Sequence, residues 1–148
     1  IIILTTDNRN KLYDTDISRC QIISNYVEAE SDLGQDDVDL LIDIFHKAYK
    51  KEYYSVISSK AFFEKYGDRK KSIINQSISF FYDLILFRFG QKKDISTRYE
   101  RRLSDFDNLS VAKLEDLILK LEKINELTKV NINFQLAMED FLFTLMEE

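Results

Sequence analysis

Through most of this chain, apolar residues return every third or fourth position, the spacing that lines one side of an α-helix. Val38, Leu41, Ile42, Phe45, Ala48 and Tyr49 make one such stripe. It predicts a helix with Asp36 as N-cap and with Asp37 and Asp39 in the first turn, where acidic side chains meet the positive end of the helix dipole. A second helix is expected over Tyr53 to Tyr66, closed by Gly67 in the left-handed terminating position. The third, from about Asp68 to Phe89, carries Ile73, Ile74, Ile78, Phe81, Leu84, Ile85 and Phe89. These overflow a single stripe, so this helix is expected to be central and touched on several sides, with Gly90 ending it. A short helix is expected within 96–107. A firmer one follows on Val111, Leu114, Leu117, Ile118, Leu121 and Ile124, starting at Asn108 or Ser110. The last is marked by Phe134, Ala137, Met138, Phe141, Leu142 and Leu145. Asn131, Asn133 and Gln135 open it, either as caps or as a polar contact between helices. Five or six helices with short connections predict an antiparallel bundle.

The first 27 residues follow another pattern. IIILTT is apolar and β-branched and reads as a buried strand. A polar stretch, the tripeptide SRC and the apolar pair in QIISNY then suggest a short helix or turn and a second short strand. A strand of that kind needs a sheet on both sides, so 1–27 is expected to be the edge of a larger domain that continues upstream. Residues 28–36, EAESDLGQD, are acidic and read as a linker. The expected organisation is therefore an edge segment over 1–27, a linker over 28–36 and a helical domain over 37–148. The fold class is mainly α, with a short β-containing remnant ahead of the bundle.

Composition sharpens this picture. The 148 residues match the usual size of one domain, and 45% of them are hydrophobic, enough to fill a core that eleven Phe and eight Tyr would dominate. The absence of Pro and the presence of only three Gly favour long helices over an all-β architecture. Twenty-one basic and 26 acidic residues give a net charge of −5, which argues against a basic footprint spread over the domain for duplex DNA. A single Cys cannot form an internal disulfide and suits a reducing cytosol. The apolar runs are too short for a bilayer, so a cytoplasmic location with no membrane contact is expected.

Candidate chemistry is sparse. His46, the one histidine, lies beside the first stripe without Cys or His companions at metal-ligand spacing, which favours a structural role. Cys20 has no assignable base, and no glycine-rich phosphate loop of the Walker type occurs. The Phe and Tyr stripes read as core. Two basic clusters, Arg69-Lys70-Lys71 and Arg98 to Arg102, are most simply a salt-bridged, solvated surface, with nucleic acid or an acidic partner face as the alternative.

One stretch carries a sharper message. In IIILTTDNRNKLYDTDISRCQII, an apolar strand ends in Thr5-Thr6-Asp7, and Ser18-Arg19-Cys20 follows a short polar segment. This resembles the sensor-1 strand and SRC motif of bacterial clamp-loader AAA+ subunits. The later run SFFYDLILFRFG, with KLEKINELTKVNINFQLAMEDFLFTLMEE, resembles the collar domain of the delta-prime branch of that family, from the DNA polymerase III clamp loader. The resemblance implies that Thr5 or Thr6 holds the sensor-1 position and that Arg19 is an arginine finger reaching a neighbour's ATP. A guanidinium is always charged and offers a planar fork of donors, which suits charge developing on a transferred phosphoryl group. It further implies a non-catalytic subunit with no cofactor of its own, ATP and Mg being bound by neighbouring subunits. Its partners would be the other loader subunits, held through the collar, with the sliding clamp and primer-template DNA reached indirectly. The match departs from the family in two places. The segment between Asp7 and Ser18 is about one residue longer than the family pattern and lacks a Pro common there, and the space between Cys20 and Asp37 is too short for the small lid domain. The rivals are a helical adaptor unrelated to replication and a helical nucleic-acid binder using the two basic clusters.

Overall fold

The computed structural model describes residues 33–91 and 95–147. The expected strand, the SRC segment and the first part of the linker lie outside the described residues. Among those residues the chain is helical and contains no strand. We label the α-helices α1 (Gln35–Tyr49), α2 (Tyr53–Ser58), α3 (Lys60–Lys65), α4 (Lys70–Arg88), α5 (Val111–Leu127) and α6 (Phe134–Met146). Two 3₁₀ segments, Gly67–Arg69 and Glu100–Phe106, lead into α4 and towards α5.

The stripe of α1 lies where its spacing put it: Val38, Leu41, Ile42, Phe45 and Ala48 are buried. Its start does not. Gly34, not Asp36, is the N-cap, and its carbonyl accepts the Val38 N–H at 3.1 Å. Asp36 and Asp37 sit inside the first turn instead, where their charge still complements the helix dipole. At the other end α1 closes in a Schellman turn. The Glu52 N–H donates to the Lys47 carbonyl at 3.0 Å and the Lys51 N–H to that of Ala48 at 2.8 Å. Lys51 takes the left-handed position, with φ 61°, where a glycine is usual. The end of α4 repeats the motif with the expected residue. Gly90 has φ 73°, its N–H donates to the Phe87 carbonyl, and the Gln91 N–H donates to that of Leu86.

The helix expected over Tyr53 to Tyr66 is interrupted at Ser59. The Ser58 hydroxyl donates to the Ser55 carbonyl at 2.9 Å and the Ser59 hydroxyl to that of Val56 at 2.6 Å. Serine hydroxyls that bond back to the preceding turn compete with helical N–H groups and bend the axis. Gly67 also departs from expectation. It has no positive φ and opens a 3₁₀ turn, in which the Arg69 N–H donates to the Tyr66 carbonyl at 2.9 Å and the chain runs on into α4. The segment expected as a short helix within 96–107 is the tighter 3₁₀ form, burying Leu103 and Phe106. Ser110 and Asn133 are the caps of α5 and α6, accepting the Lys113 and Leu136 N–H groups at 3.1 Å each. Gln135 bonds to Glu139 within its own helix, so that bond makes no polar contact between helices.

The centre of the molecule is aromatic. Phe45 of α1 lies 5.2 Å from Phe81 and 5.9 Å from both Phe80 and Phe141, ring centre to ring centre. Tyr99 and Phe106 close on Phe80 from the 3₁₀ side at 5.2 and 5.1 Å. Such tilted and edge-on pairs add about 0.5–1.5 kcal/mol each beyond burial. Helix α4 is central as expected, with Ile73, Ile74, Ile78, Phe80, Phe81 and Leu84 all buried. Phe89 is the exception: it is the C-cap residue and points outward, 67% exposed.

Polar contacts lash the 3₁₀ segment to this core. Asp83 of α4 is buried, and one of its carboxylate oxygens accepts from the Tyr99 hydroxyl at 2.8 Å and the Ser96 N–H at 3.0 Å. Arg102 pairs with Asp43 of α1 at 2.8 Å and with Asp105 at 3.1 Å. Half-exposed pairs of this kind contribute at most about 1 kcal/mol, so the buried carboxylate is the stronger tie.

Candidate interaction surface

Helix α2 has room to bury little. Its six residues, YYSVIS, present Val56 to the core and leave Tyr53, Tyr54 and Ile57 outside, with Tyr54 84% exposed. The Ser59 break turns the chain into α3 before α2 can seat a second apolar residue. Helix α6 adds to the same surface. Beyond the buried face of Met138, Phe141, Leu142 and Leu145, it carries Leu136 and Phe143 seven positions apart on an exposed face. Exposed large apolar side chains gathered in one place mark contact surfaces.

The chain directions bring the start of α2 to the end of α6. Phe63 of α3 packs edge-on against Phe134 at the start of α6, with ring centres 6.1 Å apart. Tyr53 at the start of α2 shares a cleft of about 430 Å³ with Phe143 and Met146 at the end of α6, with Lys51 and Glu147 on its rim. The α2–α3 arm therefore runs antiparallel to α6. A second opening of about 490 Å³ adjoins the first through Lys51, Met146 and Glu147. Leu109, Leu145 and Met146 give it an apolar floor, and Lys50, Lys51 and Lys113 surround it. The Lys50 ammonium lies over the Tyr49 ring at 5.0 Å from its centre. The two openings share Lys51, Met146 and Glu147, and both combine apolar and charged side chains.

The residues singled out for chemistry, Thr5, Thr6, Ser18, Arg19 and Cys20, all lie outside the described residues. Of the basic clusters, Arg102 is drawn inward. Burial acts to lower its pKa, but hydrogen bonds to Asp43 and Asp105 outweigh that and raise it, so this cation is matched within the chain. The Arg98 carbonyl accepts from the Gln35 side chain at 2.9 Å, and Arg69 and Lys71 stand exposed around the start of α4. His46 is half-buried and meets Phe106 edge-on at 5.7 Å, a packing role. Among the described residues no group of three or more His, Cys, Asp and Glu side chains is placed to hold a metal ion. No helix of these residues is long and apolar enough to cross a membrane.

The apolar surface departs from the expectation that the Phe and Tyr stripes are core. Tyr53, Tyr54, Phe89 and Phe143 face outward. The spacing holds a signal for one of them. Leu136 and Phe143 stand off the main stripe of α6 yet seven residues from each other, which marks a second apolar line on one helix.

The chain matches no family model, no curated protein and no solved structure. Its class is therefore set by its own architecture: an all-helical array, over the described residues, with an outward-facing apolar surface.

Proposed function

We propose that this chain is the C-terminal portion of a delta-prime-type, non-catalytic subunit of the bacterial DNA polymerase III clamp loader. In that role the helical domain is a collar that holds neighbouring subunits in a ring. Arg19, from the SRC segment, reaches across to the ATP and Mg of a neighbour during loading of the sliding clamp. The subunit works in the cytoplasm within a hetero-oligomer and contributes no catalytic centre of its own.

The observation that carries this reading is the joining, in one chain, of Thr5-Thr6-Asp7 and Ser18-Arg19-Cys20 to a helical array whose α2 and α6 leave Tyr53, Ile57, Leu136 and Phe143 outside the core. An arginine supplied by a partner stabilises charge on the transferred phosphoryl group and makes hydrolysis depend on assembly. Apolar side chains facing outward are what a collar needs to close a ring. The same surface also favours a second reading, a helical adaptor unrelated to replication, because it requires no ATPase neighbour.

Reconstitution separates the two. The full chain is expected to co-purify with the ATP-hydrolysing subunits of a bacterial clamp loader, and Arg19→Ala to assemble normally while losing most DNA-stimulated ATP hydrolysis. Failure to co-purify under assembly conditions favours the adaptor. Full ATPase activity in the variant removes the finger role from Arg19.

A further inference from the structure

The start of α2 and the end of α6 carry a protrusion and a cleft side by side. Tyr54 is the most exposed of the large apolar residues, at 84%, with Ile57 three positions on along the same side of α2. Its neighbour Tyr53 lines the opening of about 430 Å³ whose other walls are Phe143 and Met146, with Lys51 and Glu147 at its rim. An opening of that size takes a drug-sized molecule, and therefore a phenol ring. Apolar walls and a charged rim suit a tyrosine, which has an apolar body and a polar tip. A foreign partner needs only the cleft. A surface that offers a tyrosine and, beside it, the place for one is complementary to itself, as the interface between two identical chains about a two-fold axis has to be.

We propose that two copies of this chain pair through this surface, each placing Tyr54 in the cleft between Tyr53, Phe143 and Met146 of the other. Size and charge agree with a second copy. At exposures of 63, 84, 63 and 41%, Tyr53, Tyr54, Ile57 and Phe143 present about 500 Å² of side chain, taking about 200 Å² for a whole aromatic one. A stable pair covers about 800 Å² on each partner, with an apolar centre and a polar rim. These four residues supply the centre, and their polar neighbours supply the rim. The nearby charges are Lys50, Lys51 and Glu52 ahead of α2, Lys60 after it and Glu147 beyond α6. Lys51 already has an interaction within its own chain, so Lys50 and Lys60 stand against Glu52 and Glu147. A rim of both signs can face its own copy, whereas a rim of one sign repels it. The inference stands on this surface alone and does not depend on the clamp-loader assignment.

Light scattering of the full chain after gel filtration tests it. The expected mass is that of two chains at high concentration, falling to that of one on dilution. Tyr54→Ser, at a position that buries almost nothing in the single chain, should weaken the pairing at least tenfold. Phe143→Ser should do the same with circular dichroism unchanged; if it loses helical signal, Tyr53→Ser, at a more exposed wall of the cleft, replaces it. Leu119→Ser, at an exposed apolar residue of α5 that lines neither opening, should leave the pairing as it is. Mixing gives the sharper readout. A pair of one Tyr54→Ser chain and one cleft-variant chain keeps one complete tyrosine-in-cleft contact, whereas either variant paired with itself has both contacts damaged. The equimolar mixture should therefore associate several-fold more tightly than either variant alone. A mass of one chain at every concentration overturns the proposal and leaves the surface to a different protein. Assembly that grows past two copies also overturns it, since the contact is then not closed. So does pairing that survives Tyr54→Ser, pairing lost equally in Leu119→Ser, or a mixture no tighter than its components.

Discussion

Removing the Tyr99 hydroxyl tests how the 3₁₀ segment is held. Tyr99 is buried with its ring edge-on to Phe80, and its hydroxyl donates to the Asp83 carboxylate at 2.8 Å. Tyr99→Phe keeps the ring and deletes one hydrogen bond to a charged acceptor, a loss of about 1.5–3 kcal/mol. Asp83→Ala removes the acceptor that the Tyr99 hydroxyl and the Ser96 N–H share, at about 1–3 kcal/mol for each donor before other groups or water relieve it. Once the hydroxyl is gone, Asp83→Ala takes its acceptor from only one of those donors. The double variant should therefore be less damaged than the sum of the single ones, by about 1 kcal/mol or more. Urea unfolding of the full chain, followed by circular dichroism, gives all three values, with the slope against urea unchanged if the folded state stays intact. Amide exchange at Ser96 should speed up in both single variants. If the two losses add to within about 0.5 kcal/mol, Asp83 and Tyr99 act independently and the buried carboxylate is no latch.

Two further outcomes follow from local geometry. Lys51→Gly should raise the stability of the chain by about 1 kcal/mol, read from the urea midpoint, because glycine takes the left-handed conformation without the clash a lysine meets there; a loss of stability would show that the lysine side chain outweighs the backbone strain. Tyr82 on α4 has its phenol raised above the usual value, first by burial and then by Glu122 and Glu115 of α5. A raised value means that the neutral phenol is the form the fold favours, so its contribution is complete below about pH 10 and is lost as pH rises through the higher folded value. Tyr82→Phe should accordingly flatten the fall in stability above about pH 10, measured as unfolding midpoints from about pH 9 upward, and an unchanged slope would count against that account.

The stripes of α1, α4, α5 and α6 were legible because a long helix on a core must repeat its apolar residues at helical spacing, and Val38 to Ala48 or Leu114 to Ile124 do so. Boundaries were less legible where competing bonds decide them. Nothing in the apolar pattern marks Ser59 as a break, since the cause is a pair of hydroxyls bonding back to the preceding turn. Gly67 reads as a terminator because glycine often is one, yet the chain needs only a 3₁₀ step there. The Asp83–Tyr99 contact joins residues from different elements, and periodicity does not encode such pairing. The outward surface was hidden for another reason. Apolar patterning reports what can be buried, whereas α2 carries more apolar residues than one and a half turns can seat. The candidate finger Arg19 and its neighbours rest on the motif alone, outside the described residues.

The division of labour in α2 has a consequence for how this protein can change. Val56 anchors the helix, while Tyr53, Tyr54 and Ile57 touch the core little or not at all. The backbone reversal at Lys51, not these side chains, sets where α2 begins beside α6. Substitutions at these three positions can therefore change the outward face while the packed centre around Phe45 is left untouched. A face built this way can be rewritten without renegotiating the fold, and the same three positions are the natural ones to randomise when engineering a binding surface onto this scaffold.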